Sequence, residues 1–237
     1  MRKIAASAVL LLFALLAACG TGVGDKAPSQ SADTITSAPA DSYISYYEAK
    51  GEALDRLLAK TEANEELYTL IYESLAPLAE ADMALMPIKA IGNDESVSEM
   101  EKLGITNIGV ALCDGNIKVT GSREDARGGA FEIMCAYDAN GDSMQAAVTD
   151  DNGEAVCFEY ARADSGYVSQ YYIKDGAVSI RLHFVGDAVT VGVDTVKEKP
   201  SPIPPGAGAN FAESGEVCIK LGGGRLTVFV DGEEKAY

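Results

Sequence analysis

The stretch GYVSQYYIKDGAVSIRLHFVGDAVTVGVDT, residues 166–195, contains three runs in which apolar and polar side chains alternate, separated by Asp175-Gly176 and Gly186-Asp187. A period of two is typical of β-strands with one buried face. The two dipeptides favour the two-residue turns of β-hairpins. The stretch therefore predicts three antiparallel strands joined by tight turns.

Both turns predict the same buried face, because directly paired residues on neighbouring strands point to one side of a sheet. The turns place Tyr171 opposite Ile180 and Ile180 opposite Val193. They also predict four further apolar pairs, Ile173–Val178, Tyr167–Phe184, Phe184–Val189 and Leu182–Val191. On the opposite face we expect solvated side chains, namely Gln170, Lys174, Ser179, Arg181, His183, Thr190 and Asp194.

Turn signals on either side extend this pattern over the C-terminal half of the chain. The dipeptides Asn140-Gly141, Asn152-Gly153 and Ser165-Gly166 predict a six-stranded antiparallel meander over residues 130–196. A hairpin around Asp114-Gly115 precedes the meander, and a Pro-rich crossing, residues 200–208, leads to a last hairpin around residues 222–224. The predicted sheet has about eight to ten strands.

One turn needs an extra residue to keep the apolar face continuous. A two-residue turn at Asn152-Gly153 would move Val148 to the polar face. A three-residue loop over residues 151–153, with Gly153 as a left-handed bulge, sets Val148 opposite Val156 and Ala146 opposite Phe158. We therefore expect a bulge at this hairpin.

The segment before the sheet has the period of a helix. Between Asp41 and about Ala81, apolar residues recur three and four positions apart. We expect one long helix, or two joined near residues 61–64, with a kink or an end near Pro77 and an N-cap at Asp41 or Ser42. This face lies either on the core of the domain or in a partner-binding coil; it comprises Ile44, Tyr47, Leu54, Leu57, Leu58, Leu67, Leu70, Ile71, Leu75 and Leu78.

A shorter helix over residues 96–103 is predicted by a capping box of Ser96 and Glu99 and by Gly104 as its stop. Together the elements predict an α+β fold, with an N-terminal helix or helix pair packed on a curved antiparallel meander. The helical segment, residues 43–104, and the sheet, residues 105–237, form one domain in this prediction.

The first residues have the organisation of an export signal. Arg2 and Lys3 precede an uncharged apolar run over residues 4–18, which is shorter than the roughly 20 residues of a membrane-spanning helix. The run ends in Leu16-Ala17-Ala18-Cys19, which resembles the lipobox of bacterial lipoprotein signal peptides. The resemblance implies cleavage after residue 18 and lipidation of Cys19. The alternatives are an ordinary secreted protein or an uncleaved anchor.

The segment after Cys19 is predicted to be a flexible tether, residues 19–42, because it is rich in Gly, Ser, Thr, Ala and Pro and has few large apolar residues. Each buried acyl CH₂ contributes about 0.8 kcal/mol, so two or three acyl chains would hold the protein firmly. We therefore expect an extracytoplasmic protein bound to the cell membrane through its lipid.

Composition excludes several classes of function. The 237 residues include 36 acidic and 19 basic side chains, giving a formal net charge of −17. Neutralising nucleic acid phosphates requires clustered Lys and Arg, so nucleic acid is not an expected partner. His183 is the single histidine, so two-histidine zinc motifs are absent. A serine hydrolase G-x-S-x-G motif is absent too, and we assign no catalytic or cofactor-binding residue.

Four cysteines follow Cys19, namely Cys113, Cys135, Cys157 and Cys218. The predicted register places Cys135 and Cys157 on opposite faces with a strand between them, about 9.6 Å apart, which is beyond the reach of a disulfide. A bond between Cys157 and Cys218, both on the second face, stays open beside free thiols.

Two polar turns resemble ligand-binding loops without completing them. Residues 138–143 space oxygen ligands as a calcium loop does, but Ser143 replaces the required Gly and Thr149 the closing Glu. Residues 222–224 lack the Lys of a phosphate loop. We predict hairpin turns at both places and no metal site.

Three functions fit this chain. The first is a non-enzymatic envelope protein that binds a small hydrophobic ligand or a protein through its sheet or through the gap between sheet and helix. Its predicted shape resembles the half-barrel of periplasmic lipoprotein-carrier and lipid-binding proteins, and we expect aromatic pocket walls from Tyr137, Phe158, Tyr160, Tyr167, Tyr171 and Phe184. The alternatives are a carboxylate-based hydrolase and a structural accessory subunit that docks through its N-terminal helix.

Overall fold

A computed structural model describes residues 35–124, 128–138 and 140–235. The chain divides into two units, Met1–Thr34 and Ile35–Tyr237, and the account below concerns the second unit. The lipobox and the tether up to residue 34 lie outside the described residues. No helix in the described ranges is long and apolar enough to cross a membrane.

One antiparallel sheet contains all the strands of the described residues, in chain order from one edge to the other. It is open, because the first strand pairs only with the second and the last only with the tenth. The strands are β1 (Ile105–Cys113), β2 (Asn116–Arg123), β3 (Gly129–Tyr137), β4 (Ser143–Asp150), β5 (Gly153–Ala163), β6 (Gly166–Ile173), β7 (Val178–Val185), β8 (Ala188–Thr195), β9 (Val217–Gly222), β10 (Arg225–Val230) and β11 (Glu233–Lys235).

The strand count of eight to ten was wrong, because the sheet has eleven strands. The predicted meander is β3 to β8, and both flanking hairpins are present. The strand that the sequence did not indicate is β11, whose three residues are exposed and polar. A strand this short and polar has no apolar alternation from which it could be predicted.

The predicted register is confirmed at every pair named above in β6, β7 and β8. Val148 also pairs with Val156 and Ala146 with Phe158, and Gly153 has a φ of +98°. The position of the extra residue differs from the prediction. Asp150 pairs with Gly153 across a two-residue turn, and Ala155 is the unpaired residue at which the register shifts. The bulge therefore lies inside β5 rather than in the loop.

The N-terminal segment forms two helices, α1 (Ala38–Ala59) and α2 (Glu65–Leu85), joined at residues 60–64. A 3₁₀ turn (Met86–Ala90) and α3 (Asp94–Lys102) follow, and a one-turn helix, α4 (Ala209–Ala212), precedes β9.

Two predicted helix boundaries were wrong, and of the two alternatives at Pro77 the helix end is excluded. The N-cap of α1 is Ser37, so residues 38–42 belong to the helix and not to the tether. Pro77 lies inside α2 without ending it. The cap of α3 is Asn93, whose side chain accepts a hydrogen bond from the Ser96 backbone N–H at 3.1 Å. Asn accepts such a bond as well as Ser does, so α3 begins two residues before the predicted start at residue 96.

The helices cover the apolar face of the sheet, and their side chains pack directly against those of the strands. The Tyr46 ring stacks on Tyr160 with centroids 4.7 Å apart, and Tyr43 meets Phe158 edge to face at 5.9 Å. Leu57, Leu67, Ile71 and Leu78 of the predicted stripe are buried here, and the rest of it is half-buried. Among the predicted pocket aromatics only Tyr137 is half-buried, while the other five are buried core residues.

The second face of the sheet, here called the outer face, is partly covered rather than solvated. Residues 196–216, the crossover segment, connect β8 to β9 and lie against this face. Gln170, Ser179 and Thr190 are consequently buried, which corrects their predicted exposure. Lys174 is exposed as predicted. Arg181, His183 and Asp194 are half-buried.

Candidate functional site

A row of hydrogen-bonded side chains crosses the outer face at right angles to the strands. The register aligns Gln145, Glu159, Gln170 and Arg181 on β4 to β7. Glu159 accepts hydrogen bonds from Gln145 Nε2 at 3.3 Å and from Gln170 Nε2 at 3.0 Å. Arg181 Nε donates to Gln170 Oε1 at 3.2 Å. Each side chain of the row therefore holds its neighbour in place.

The crossover segment is attached to this row. The backbone N–H of Ile203 donates to Glu159 Oε1 at 2.8 Å, and Gln170 Nε2 donates to the Ser201 carbonyl at 2.9 Å. Farther along, Arg181 donates to the Ser214 hydroxyl. Gly192 on β8 leaves room for the crossover segment near Ala212, since a Cβ at Gly192 would lie 2.3 Å from the Ala212 carbonyl oxygen. Polar bonds and a close backbone approach thus fix the segment at both ends.

A groove of about 700 Å³ lies between the outer face and the Pro-rich part of the crossover segment. The next row of the sheet contributes to its floor, where Ala161 pairs with both Ser143 and Val168. These side chains are small, so the floor lies below the longer side chains of the neighbouring row. The opposite wall consists of crossover residues 203–208, and polar side chains at the rim include Asp138, Arg162 and Asp164.

His183 lies at the groove, next to Val168 in the sheet register. Its Nδ1 atom is buried and has no hydrogen-bond partner within the described part of the chain. Burial lowers the pKa of His183 below its ordinary value, and the nearby charge of Asp164 opposes this shift. The imidazole is therefore neutral at pH 7, with a ring nitrogen not bonded to the protein.

Glu159 is one of the carboxylates that line the groove. Burial raises its pKa, while its bonds to Ile203, Gln145 and Gln170 and the charge of Lys199 act in the opposite direction. Its two oxygens already receive three hydrogen bonds from the protein. This arrangement suits a residue that holds the groove wall rather than one that transfers protons.

A second polar cluster lies between the helices and the sheet. Lys50 is 2% exposed and forms an ion pair with Asp82 of α2. Lys50 Nζ also donates to the Tyr171 hydroxyl at 3.2 Å, and Tyr46 donates to Ser169 at 2.8 Å. Burial lowers the pKa of Lys50 and raises that of Asp82. The cluster connects α1, α2 and β6, and its Lys50, Tyr46, Ser169 and Tyr171 side chains are buried.

Three buried cysteines provide no reactive site. Cys135, Cys157 and Cys218 are free, and Cys135 and Cys157 lie on opposite faces as predicted. A bond between Cys157 and Cys218 is excluded, because β5 and β9 are four strand spacings apart, about 19 Å. Burial raises the pKa of both Cys135 and Cys157 to about 12, so these thiols are protonated and poorly nucleophilic at pH 7.

The polar loops form ordinary turns. Asp138 Oδ1 accepts a hydrogen bond from the Asn140 backbone N–H at 3.1 Å in the hairpin between β3 and β4. Residues 222–224 connect β9 to β10 as a hairpin. In the part of the chain that the structure describes, no group of three His, Cys, Asp or Glu residues is arranged to hold a metal ion.

Sequence reasoning placed His183 on the outer face but missed the groove. The register alone aligns the Gln145–Glu159–Gln170–Arg181 row, so this row was available from the sequence. The crossover segment that forms the other wall has no periodicity from which its position follows. Comparison of the chain with protein-family models, curated proteins and solved structures found no match.

Proposed function

We propose that this chain is a lipid-anchored extracytoplasmic binding protein that holds a small ligand in the outer-face groove. The groove itself is the observation that carries the proposal, because its volume of about 700 Å³ is that of a small-molecule site. The expected pocket between helices and sheet is not the place, since the aromatic side chains there are packed against each other.

Hydrogen bonds connect the two walls of the groove. The hydrogen-bonded row fixes one wall, and the same row holds the crossover segment that forms the other. A preformed site avoids the entropic cost of ordering loops when a ligand enters. A rigid groove of this kind supports binding.

The lining indicates a ligand that combines an apolar body with polar groups. Ala161 and Val168 offer an apolar floor, and Pro204 and Pro205 a second apolar surface. His183 adds a polar side chain to the lining. Binding is favoured over the carboxylate hydrolase, because Glu159 is already occupied by three donors of the protein.

Filling the groove tests this proposal. We expect Ala161→Phe to project a ring into the groove and to remove a small molecule that accompanies the wild-type protein purified from its native membrane. Ala111→Phe is the matched control, since Ala111 is exposed on β1, four strands away. Native mass spectrometry of the three proteins provides the measurement.

The expected result is one bound mass in the wild type and in Ala111→Phe that is lost in Ala161→Phe. Circular dichroism and a thermal melt establish that Ala161→Phe is folded. The same bound mass in all three proteins, or none in any of them, would contradict the proposal.

A further inference from the structure

Helix α2 has an apolar stripe on its solvent side. Tyr68, Tyr72 and Met83 are 43%, 59% and 53% exposed, although these side chains are large and apolar. The rings of Tyr68 and Tyr72 stack with centroids 6.0 Å apart. Ala76 and Ala79, also exposed, lie between them and Met83. Residues 68, 72, 76, 79 and 83 together are called the α2 stripe.

The spacing of the α2 stripe makes it one continuous surface. Its members follow one another at intervals of four, four, three and four residues, which keeps them on a single side of a helix. The core-facing residues Leu67, Ile71, Leu78, Ala81 and Leu85 form the other apolar side of α2. The core of the domain covers one apolar side of α2, and the second apolar side is left exposed to solvent.

Acidic residues border the α2 stripe. Glu66, Glu73 and Glu80 recur every seven residues along one flank. Glu65, Glu66 and Glu73 also line a shallow depression of about 650 Å³ that has Leu70 in its lining. None of the 21 residues of α2 is Lys or Arg. The surface therefore combines apolar contact area with negative charge.

We propose that the α2 stripe binds a basic amphipathic helix of a partner protein. The apolar face of such a helix would pack on Tyr68, Tyr72 and Met83, as helices pack in grooves and coiled coils. Lys or Arg side chains beside that face would lie against Glu66 and Glu73. Complementary charge of this kind selects the partner and speeds its association.

The charges disfavour other occupants. A second copy packed antiparallel about a two-fold axis would place Glu66 and Glu73 beside the same acidic flank of its partner. Anionic lipid head groups would be repelled in the same way. Residues 20–34 of this chain contain one basic residue, Lys26, and one branched apolar residue, Val23, so they provide no basic amphipathic helix.

The test uses a synthetic helical peptide as the probe. A fluorescein-labelled peptide with Leu at heptad core positions and Lys at the flanking positions is titrated with the full-length protein, and its anisotropy is followed. An otherwise identical peptide with Glu in place of Lys measures the effect of charge. We expect binding of the Lys peptide and at least tenfold weaker binding of the Glu peptide.

Matched variants distinguish binding at the α2 stripe from non-specific electrostatic attraction of the peptide to an acidic protein. We expect Tyr72→Ser with Met83→Ser, and separately Glu66→Gln with Glu73→Gln, to weaken binding about tenfold or more. Leu112→Ser and Glu99→Gln with Glu101→Gln change an exposed apolar residue and two exposed carboxylates elsewhere, and should leave binding unchanged.

Equal losses in the α2 variants and in their controls would overturn the proposal, as would binding that no variant alters. Self-association of the wild type in sedimentation analysis, abolished by Tyr72→Ser, would instead assign the α2 stripe to a second copy. Binding to phosphatidylglycerol vesicles that depends on Tyr72 would assign it to lipid. Either of these results would also reject the basic helix.

Discussion

At the scale of single residues, Lys50 explains why sequence periodicity missed part of the buried face of α1. Tyr43, Tyr46, Lys50, Ala53 and Leu57 are the buried residues at helical spacing. A lysine within this series makes the apolar stripe seem to end. Its burial depends on Asp82 and Tyr171, which lie 32 and 121 residues away along the chain. No local pattern could reveal such partners.

The buried ion pair makes a prediction about stability. Asp82→Ala leaves the Lys50 ammonium without its carboxylate in the core, so we expect a loss of about 3–5 kcal/mol in the free energy of unfolding. Lys50→Met combined with Asp82→Leu replaces the pair by apolar side chains and should cost less than Asp82→Ala alone. Urea denaturation of the three proteins tests this, and a double variant less stable than Asp82→Ala would contradict it.

His183 makes a prediction about pH, because burial lowers its pKa in the folded state. Between the lowered pKa and the ordinary value of 6.5, the unfolded chain binds more protons than the folded one. The contribution of His183 to stability is therefore complete above the ordinary pKa and is lost as the pH falls to the lowered one. Because the chain has a single histidine, its imidazole NMR signal reports this pKa directly. A midpoint at or above 6.5 would contradict the expected burial.

At the scale of elements, the sheet could be predicted from the sequence, whereas the covering of its outer face could not. Turn residues fix the length of each hairpin, and the requirement for one apolar face then selects the register. The crossover segment contains Pro and Gly without periodicity, so nothing local indicated that it covers Gln170, Ser179 and Thr190. The floor and the side-chain row of the groove could thus be predicted, whereas its other wall required the three-dimensional structure.

Substitutions on the two faces of β7 should differ in their effect on stability. Ile180 is fully buried beneath the helices, so Ile180→Asp should cost about 4 kcal/mol or more by burying an unpaired charge. Ser179 is 1% exposed under the crossover segment, so Ser179→Asp should cost about 1–3 kcal/mol as that segment is displaced. Lys174→Asp, at an exposed position, should change stability by no more than about 0.5 kcal/mol. Equal melting temperatures of Ser179→Asp and Lys174→Asp would contradict the covering of the outer face.

At the scale of the whole molecule, the α2 stripe and the groove lie on different surfaces. One surface is formed by the solvent side of a helix, and the other by the opposite face of the sheet that this helix layer covers. The proposed ligand and the proposed partner helix would therefore bind on different surfaces of this unit.

The most direct test of this account is the mass of the N-terminal peptide of the protein purified from its native membrane. We predict a peptide that begins at Cys19 and carries a diacylglycerol thioether on its sulfur, and we predict that Cys19→Ala abolishes both the lipid and membrane retention. A peptide that begins at Met1, or one that contains Cys19 with an unmodified thiol, would contradict the account.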